Sequence, residues 1–341
     1  MKKILYILFI SLFVSSCTPE LIPEITHREI VVNYIDSTTK AMVLIKDKKI
    51  TPIHNLEYFW VKAGRIKSNI GGFSGNVLDG KFQVFDINKN LITKGEFKKG
   101  LRTGTWKKWN NTGKPISIIN YKNGDKNGMY RYYNAENGDV TTLNYKNNKL
   151  NGKCIYYRPK QGDVEVVTFK KGKMNGIQTI TGLDGNKIFS KEYKKGMANG
   201  TTKIYGRNGQ LVKDLKYKNN KLNGICKYIK TDSNLVRKIE YKDDLYNGKF
   251  TESDTNKVLI KSYNYKDNLL DGVCIDYKKR LTITTTYKSG VKDGKYTETT
   301  KNGKPIIEAN YLNDLLDGEY IKYSKNDTIV KVYESGQLIT K

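Results

Sequence analysis

The chain has 341 residues, longer than one typical domain, and carries 61 lysines and arginines against 34 acidic residues, a formal net charge of +27. A balance this basic favours negatively charged partners over cationic ones. The two histidines, His27 and His54, have no second ligand at metal-binding spacing, so no metal site is predicted.

The N-terminus has the pattern of a targeting segment. Lys2 and Lys3 form a positive region, and residues 4–14 form a short apolar core. That core is too short to span a bilayer and has the length typical of a signal peptide. We therefore expect the first residues to direct export.

A four-residue motif, Val-Ser-Ser-Cys at 14–17, follows the apolar core. It resembles the lipobox of bacterial lipoproteins, in which three small residues precede an invariant cysteine. The resemblance implies a lipoprotein signal peptide over 1–16, cleavage before Cys17 and acyl chains on that residue. The residue after Cys17 is Thr18 and not an aspartate, which by the same resemblance favours the outer membrane if the cell has one. The alternatives are an ordinary secretory signal with an incidental cysteine and an uncleaved anchor.

Two or more acyl chains anchor a protein stably, so we expect an exported, membrane-anchored lipoprotein held by Cys17. Export argues against nucleic acid as a partner despite the basic charge. Anionic lipid head groups, lipopolysaccharide, cell-wall polymers and acidic proteins are the better candidates. A simpler interpretation is that the lysines keep an extended sheet soluble.

The segment before the repeats is predicted in two parts. Residues 17–54 hold the lipidated tether and N-terminal strands near 29–34 and 41–45. Residues 55–72, which include Tyr-Phe-Trp-Val at 58–61, are predicted to form a degenerate capping repeat. Terminal repeats of an array are expected to be atypical.

A glycine recurs through the remaining chain, residues 73–341, at intervals of 24 residues with one interval of 22. A fixed period of roughly 20 to 50 residues indicates a repeat architecture. The repeat glycines are Gly80, Gly104, Gly128, Gly152, Gly176, Gly200, Gly224, Gly248, Gly272, Gly294 and Gly318. An aromatic residue precedes each by seven positions, beginning with Phe73, and Tyr333 begins a truncated twelfth copy. The predicted aromatic ladder comprises Phe97, Tyr121, Tyr145, Phe169, Tyr193, Tyr217, Tyr241, Tyr265, Tyr287 and Tyr311.

Each copy reads as a β-hairpin. Two turn-forming residues follow the ladder aromatic, as in Asn219-Asn220, and suit a two-residue loop with positive φ. A second turn, such as Asn208-Gly209, follows eight to ten residues after the glycine. We therefore predict an all-β fold, an elongated antiparallel β-meander of about eleven to twelve 24-residue hairpin repeats in a single sheet. The 22-residue copy loses an even number of residues, which keeps every later side chain on its face.

Two local points stay open. The repeat glycine fits either a bulge or a close approach of backbone. The aromatic residues two and five positions after the glycine, such as Trp106 and Trp109, differ in parity. A bulge between them or aromatics on both faces would explain this.

The segment Phe-Lys-Lys-Gly-Leu-Arg-Thr-Gly-Thr-Trp-Lys-Lys-Trp at 97–109 returns in related form at 145–157 and 311–323. It resembles the variant MORN repeat, and the array is similar to bacterial proteins labelled as the YwqK-type antitoxin family. The resemblance covers about residues 73–341. It implies β-hairpin arrays used for protein interaction, scaffolding or phospholipid contact, and brings no catalytic residue or cofactor.

The residues that could carry chemistry have structural interpretations. Asp271, Asp293 and Asp317 precede a repeat glycine where other copies have asparagine, which indicates a capping hydrogen bond rather than catalysis. Cys154 and its equivalents Cys226 and Cys274 follow a glycine by two positions. Because the equivalent positions lie in different repeats, we predict small buried thiols without disulfides. No enzyme activity and no cofactor is predicted.

A lysine directly follows the ladder aromatic in nine consecutive copies. By period-two alternation these side chains lie on the face opposite the aromatics, about 10 Å apart along the array. They form a candidate binding row for a repeating anionic polymer or a membrane surface, or they merely solvate the outer face. The row comprises Lys98, Lys122, Lys146, Lys170, Lys194, Lys218, Lys242, Lys266 and Lys288.

Three functions remain for such a chain. The first is a non-enzymatic, lipid-anchored envelope protein that acts as a protein-interaction or scaffolding surface. The second is an antitoxin or immunity-type protein that neutralises a toxin. The third is binding of anionic phospholipid or envelope glycan. The oligomeric state stays open.

Overall fold

The computed structural model describes residues 24–45 and 49–340, and residues 1–23, 46–48 and 341 lie outside the description. The signal peptide and Cys17 therefore fall outside it. The secondary structure is strand throughout. In chain order the strands are β1 His27–Asn33, β2 Ser37–Leu44, β3 Glu57–Lys62, β4 Arg65–Ile70, β5 Asn76–Asp86, β6 Leu91–Lys98, β7 Leu101–Trp109, β8 Pro115–Lys122, β9 Asp125–Tyr133, β10 Val140–Lys146, β11 Lys149–Leu150, β12 Gly152–Arg158, β13 Asp163–Lys170, β14 Lys173–Met174, β15 Gly176–Gly182, β16 Lys187–Lys194, β17 Met197–Tyr205, β18 Leu211–Lys218, β19 Lys221–Leu222, β20 Gly224–Lys230, β21 Leu235–Lys242, β22 Leu245–Asp254, β23 Leu259–Lys266, β24 Leu269–Leu270, β25 Gly272–Tyr277, β26 Leu281–Lys288, β27 Val291–Thr300, β28 Pro305–Leu312, β29 Leu315–Tyr323, β30 Thr328–Glu334 and β31 Gln337–Thr340.

From β5 onward, successive long strands pair antiparallel along the chain, so the repeats form one open meander. Each two-residue strand continues into the next long strand, and both pair with the same preceding strand, as β11 and β12 pair with β10. At the N-terminal end β1 pairs with β2, and β2 pairs with β5. The hairpin β3–β4 is joined to the start of β5 through β3. The predicted all-β, single-sheet repeat fold is therefore confirmed.

One long side of the sheet, here called the turn edge, is built from the two-residue turns that follow the ladder aromatics. Both turn residues have positive φ, for example +50° at Asn219 and +71° at Asn220. This is the geometry of the hairpin turn that matches the right-handed twist of the strands. Asparagine, aspartate and glycine fill most of these positions because they tolerate positive φ at low cost.

Every turn on this edge is bonded to the repeat before it. The second turn residue donates its backbone N–H to a carbonyl of the preceding copy, as Gly196 does to Met174 at 2.7 Å and Asn220 to Ala198 at 2.9 Å. The same bond recurs from Gly100 to Gly336. The turn edge is thus a continuous column of hydrogen bonds between repeats.

The repeat glycine is a bulge residue, which settles the first open point. Its φ lies between +64° and +121° in all eleven copies. In one copy Tyr193 pairs with Ala198 while Lys191 pairs with Thr202, so three residues, including Gly200, lie opposite one. The insertion is even, and the alternation of faces therefore continues through it.

On its other side the repeat glycine pairs with the ladder aromatic of the next copy, as Gly200 does with Tyr217. The seven-residue spacing within one copy is set by the tight turn and the bulge, since Tyr193 pairs across the turn with Ala198, two residues before Gly200. The pairing between copies matches each glycine to the next aromatic. It also holds across the short copy, where Gly272 pairs with Tyr287 and Gly294 with Tyr311. The deletion is absorbed in the loop at Lys278, whose N–H bonds the carbonyl of Leu281.

The two faces of the sheet differ in character. The ladder face carries the ladder aromatics together with residues two and four positions after each repeat glycine, and the lysine face is the opposite side. In the uninterrupted pairing of β12 with β13, Cys154 is fully buried while Tyr157, three residues on, is 38% exposed. Aromatics therefore occur on both faces, which settles the second open point.

A separate layer covers the ladder face at the N-terminal end. Phe59 of the β3–β4 hairpin lies 5.0 Å from the ring of Phe97 and donates its N–H to the carbonyl of Gly100 at 2.8 Å. Phe97 and Trp106 belong to the buried cluster beneath this hairpin. The first repeats consequently have a two-sided core, whereas later repeats are a single layer.

Candidate interaction surface

The lysine row lies at the solvent-exposed ends of nine strands. Each of its nine members is the last residue of a strand, stands next to the turn edge on the lysine face, and is exposed. None of the nine forms an ion pair with any acid in residues 24–45 or 49–340. The structure therefore brings the predicted row together as one line of free ammonium groups, one per repeat.

Charge along the turn edge is uneven. We define a hairpin end as the four residues that begin at the position after the ladder aromatic. The ends 146–149, 170–173, 194–197 and 218–221 contain nine lysines and no acid. The next four ends, 242–245, 266–269, 288–291 and 312–315, contain three lysines and four aspartates. The two N-terminal ends, 98–101 and 122–125, contain three lysines and one aspartate. The longest run of hairpin ends with lysines and no acid therefore lies in the middle of the turn edge.

Several of these lysines directly oppose one another. Lys146 pairs with Lys149, and Lys218 pairs with Lys221, across their turns. Lys170 and Lys173 form a third such pair. In the C-terminal repeats the row lysine instead faces an apolar residue, as Lys242 faces Leu245. This difference was not predicted, although the residue three positions after each row lysine would have revealed it.

An open groove of about 600 Å³ lies between two of the cationic hairpin ends. Lysine and asparagine side chains line the groove, which is open to solvent. The lining residues are Lys146, Asn147, Lys149, Asn151, Lys170 and Lys171.

The Asx residue before the repeat glycine caps the turn of the next copy, as predicted. Asn151 accepts a hydrogen bond from the N–H of Lys171 at 3.2 Å, and Asp271 accepts one from Ser289 at 3.1 Å. Where the turn ends in asparagine or aspartate, that side chain instead accepts a bond from the preceding copy: the N–H of Ala198 donates to the side-chain oxygen of Asn220 at 2.7 Å, and that of Leu222 to Asp244 at 2.6 Å. These side chains are therefore occupied in holding the turn edge.

The ladder aromatics pack in pairs across repeats. The aromatic residue two positions after a repeat glycine contacts the next ladder aromatic, as Trp106 does Tyr121 with ring centroids 6.3 Å apart and Tyr296 does Tyr311 at 5.8 Å. Such contacts supply cohesion in a sheet without a globular core. The predicted structural role of the ladder agrees with this packing.

Cations cover several of these rings, a feature that was not predicted from the sequence. The guanidinium of Arg102 lies 4.4 Å from the ring centre of Phe59 and 5.6 Å from that of Tyr121. The ammonium of Lys292 lies 4.8 Å from the ring of Tyr311. The signal was a basic residue five positions after a ladder aromatic, which places it beside the ladder aromatic of the next copy. Charge on the ladder face is therefore partly committed to aromatic contacts.

Burial lowers the reactivity of the thiols and phenols on the ladder face. Burial raises the pKa of the Cys154, Cys226 and Cys274 thiols above the ordinary value, and all three are free and buried as predicted. Burial also raises the pKa of the Tyr241 phenol, helped by its hydrogen bond to Tyr228 at 3.1 Å. Thiolates and phenolates are disfavoured here near neutral pH.

Within the part of the chain that the structure describes, no group of three or more His, Cys, Asp or Glu side chains is placed to hold a metal ion. The same residues include no helix with the length and apolar character needed to cross a membrane. The surface features are thus the lysine face, its turn edge and the capped end.

Residues 102–123 and 198–219 match the family described as the MORN repeat variant. Both matched segments run from the second residue after one tight turn to the next turn, through a repeat glycine and a ladder aromatic. Their starts are four periods of 24 residues apart, so the two matches have the same phase in the array. No curated protein matches the chain.

Proposed function

We propose that this chain is a non-enzymatic binding protein of the bacterial envelope, anchored by lipid at Cys17, in the outer membrane where the cell has one. The repeats present an open sheet to a protein or to an anionic envelope component. The observation that carries this proposal is the lysine row, which places one exposed, unpaired ammonium group in each of nine successive repeats.

Repetition is what makes such a surface effective. A weak contact at one repeat becomes strong when neighbouring repeats contact the same partner, because later contacts form at high effective concentration. The hydrogen-bonded turn edge keeps the repeats in register. A membrane anchor would add to this by confining the protein near its partner.

The experiment that tests this proposal identifies the partner. Crosslinking in intact envelopes, followed by purification of the full-length protein, should recover a reproducible partner or envelope polymer. A variant without the row charges in several repeats should lose it. Capture of a single protein at one-to-one stoichiometry, with toxicity when this gene is deleted, would instead identify an antitoxin. Recovery of nothing from any envelope preparation would count against a binding function.

The anchor has its own test. The Cys17→Ala variant should leave the membrane fraction and appear in the soluble fraction, since it cannot receive acyl chains. Cys154→Ala provides the control, because that buried thiol should not affect localisation. If the Cys17→Ala protein fractionates like the wild type, lipid anchoring is wrong.

A further inference from the structure

We propose that the cationic hairpin ends within residues 146–221 form a track for a linear anionic polymer that carries phosphate or carboxylate groups along its length. The inference rests on the proposed binding function and names a partner class for it. It assigns the contact to one part of the turn edge rather than to the whole lysine row.

The first argument is uncompensated charge. All nine lysines of these four hairpin ends are exposed, and none has an acidic partner among the described residues. Lysines directly opposite one another across a strand pair destabilise the sheet. Three of these four hairpin ends nevertheless contain such a pair across the turn, at Lys146, Lys170 and Lys218. A bound polyanion would turn each unfavourable pair into a pair of contacts.

The second argument is spacing. Successive hairpin ends are about 10 Å apart, since each repeat contributes two strands at about 4.8 Å each. Four ends therefore extend over about 30 Å along the array. A small anion could meet the lysines of only one or two ends, whereas a polymer lying along the edge meets all four. The 600 Å³ groove between the first two ends provides room for a chain segment and not just one ion.

The third argument separates a polymer from a bilayer. A flat membrane on the lysine face would contact the whole row, including Lys242 and Lys266. Beside those lysines the turn edge carries Asp243, Asp244 and Asp267, which would repel an anionic surface. A flexible polymer can follow the cationic ends and stop where the acidic ones begin.

The test compares two triple variants with the same charge loss and the same kind of position. Lys146→Gln/Lys170→Gln/Lys218→Gln removes charge from the proposed track. Lys242→Gln/Lys266→Gln/Lys288→Gln removes it from the C-terminal row lysines. All six lysines are exposed.

Binding of the detergent-solubilised full chain to inorganic polyphosphate and to polygalacturonate is measured over a range of salt concentrations, which distinguishes phosphate from carboxylate polymers. The track variant should weaken binding by about tenfold or more at low salt and lower the slope of log affinity against log salt by about 2. The C-terminal variant should change affinity less than about threefold, since its lysines lie outside the track. A Lys→Arg version of the track variant should bind like the wild type.

Equal weakening in the two Gln variants overturns the proposal, as does failure of the wild-type chain to bind either polymer at low salt. Anionic vesicles in the same assay report the membrane alternative, which is supported if they bind and both variants lose the binding equally. Melting temperatures of all variants confirm that the sheet is intact. If neither polymer binds while envelope crosslinking still recovers a partner, this inference fails and the proposed function stands.

Discussion

Replacing the repeat glycine Gly176 with alanine probes the geometry on which the period depends. Gly176 has φ +121°, a conformation that side chains of L-residues rarely adopt. A residue forced into such a region costs about 1–3 kcal/mol. An added Cβ would also lie 3.3 Å from the Cβ of Thr168. Because Thr168 is β-branched and stiff, it can move aside little. Together these effects should lower the free energy of unfolding by about 2–4 kcal/mol.

A matched control lies in the same repeat. Gly185 also has positive φ, +85°, but an added Cβ there would meet nothing within 4 Å. Gly185→Ala should therefore cost about 1–2 kcal/mol, from backbone strain alone. Urea unfolding followed by circular dichroism gives the comparison. Hydrogen exchange should localise the damage of Gly176→Ala to its own repeat and the two neighbours, because repeats contact only adjacent copies.

Comparing the two variants distinguishes backbone strain from the contact with Thr168 as the reason why position 176 requires glycine. If both lose the same stability, the contact with Thr168 contributes nothing and the bulge geometry is no stricter than that of an ordinary loop. If Gly176→Ala is within about 0.5 kcal/mol of the wild type, the positive φ is not required and the account of the period is wrong.

Three further predictions concern the ladder face and the turn edge. Burial raises the pKa of Tyr241 in the folded state. The free energy of unfolding should therefore be at its full value below a pH of about 10, the pKa of an unfolded tyrosine, and should fall as the pH rises above it. Melting temperatures across that range should show the fall, and Tyr241→Phe should make it shallower; a pH-independent melting temperature would contradict this. The Cys226 thiol, buried and with raised pKa, should resist maleimide at neutral pH in the folded protein and react in urea, so native labelling at the unfolded rate would refute the burial. Asn220→Gly keeps the turn but removes the bond from the Ala198 N–H, and should lower the urea midpoint by the equivalent of about 1 kcal/mol; an unchanged midpoint would show that water replaces the bond.

The repeat architecture could be predicted from the sequence because its determinants are local. A turn pair such as Asn219-Asn220 indicates positive φ at both positions, and the structure has it there. The spacing of the aromatic residues likewise predicts that neighbouring copies pair in a constant register, because that spacing is set by local turns. The choice between a bulge and a close approach at Gly200 could not be made, because it depends on how many residues lie opposite in the partner strand.

The N-terminal layer could not be predicted from local patterns. Its contacts join residues far apart in the chain, such as the ion pair between Arg102 and Glu57 at 3.4 Å. The terminal pair of the sheet is β1–β2, while the β3–β4 hairpin crosses the ladder face above Phe97. Nothing in the composition of residues 57–70 indicates that arrangement.

The candidate surface was predictable in part. Alternation of side chains along a strand places Lys146 and its equivalents on the face opposite the ladder aromatics, as the structure has them. The groove between hairpin ends depends on the stacking of neighbouring turns, and the opposition of Lys146 with Lys149 depends on the exact register of each turn. Those features required the structure.

The column of hydrogen bonds along the turn edge also bears on how such a chain can change over evolutionary time. Each hairpin end uses an acceptor in the copy before it and offers an equivalent acceptor to the copy after it. Duplication or loss of one 24-residue unit therefore recreates every junction that it breaks. The gene can lengthen or shorten its product by whole copies at little structural cost, and the reach of the surface becomes a quantity that selection can adjust in steps of about 10 Å.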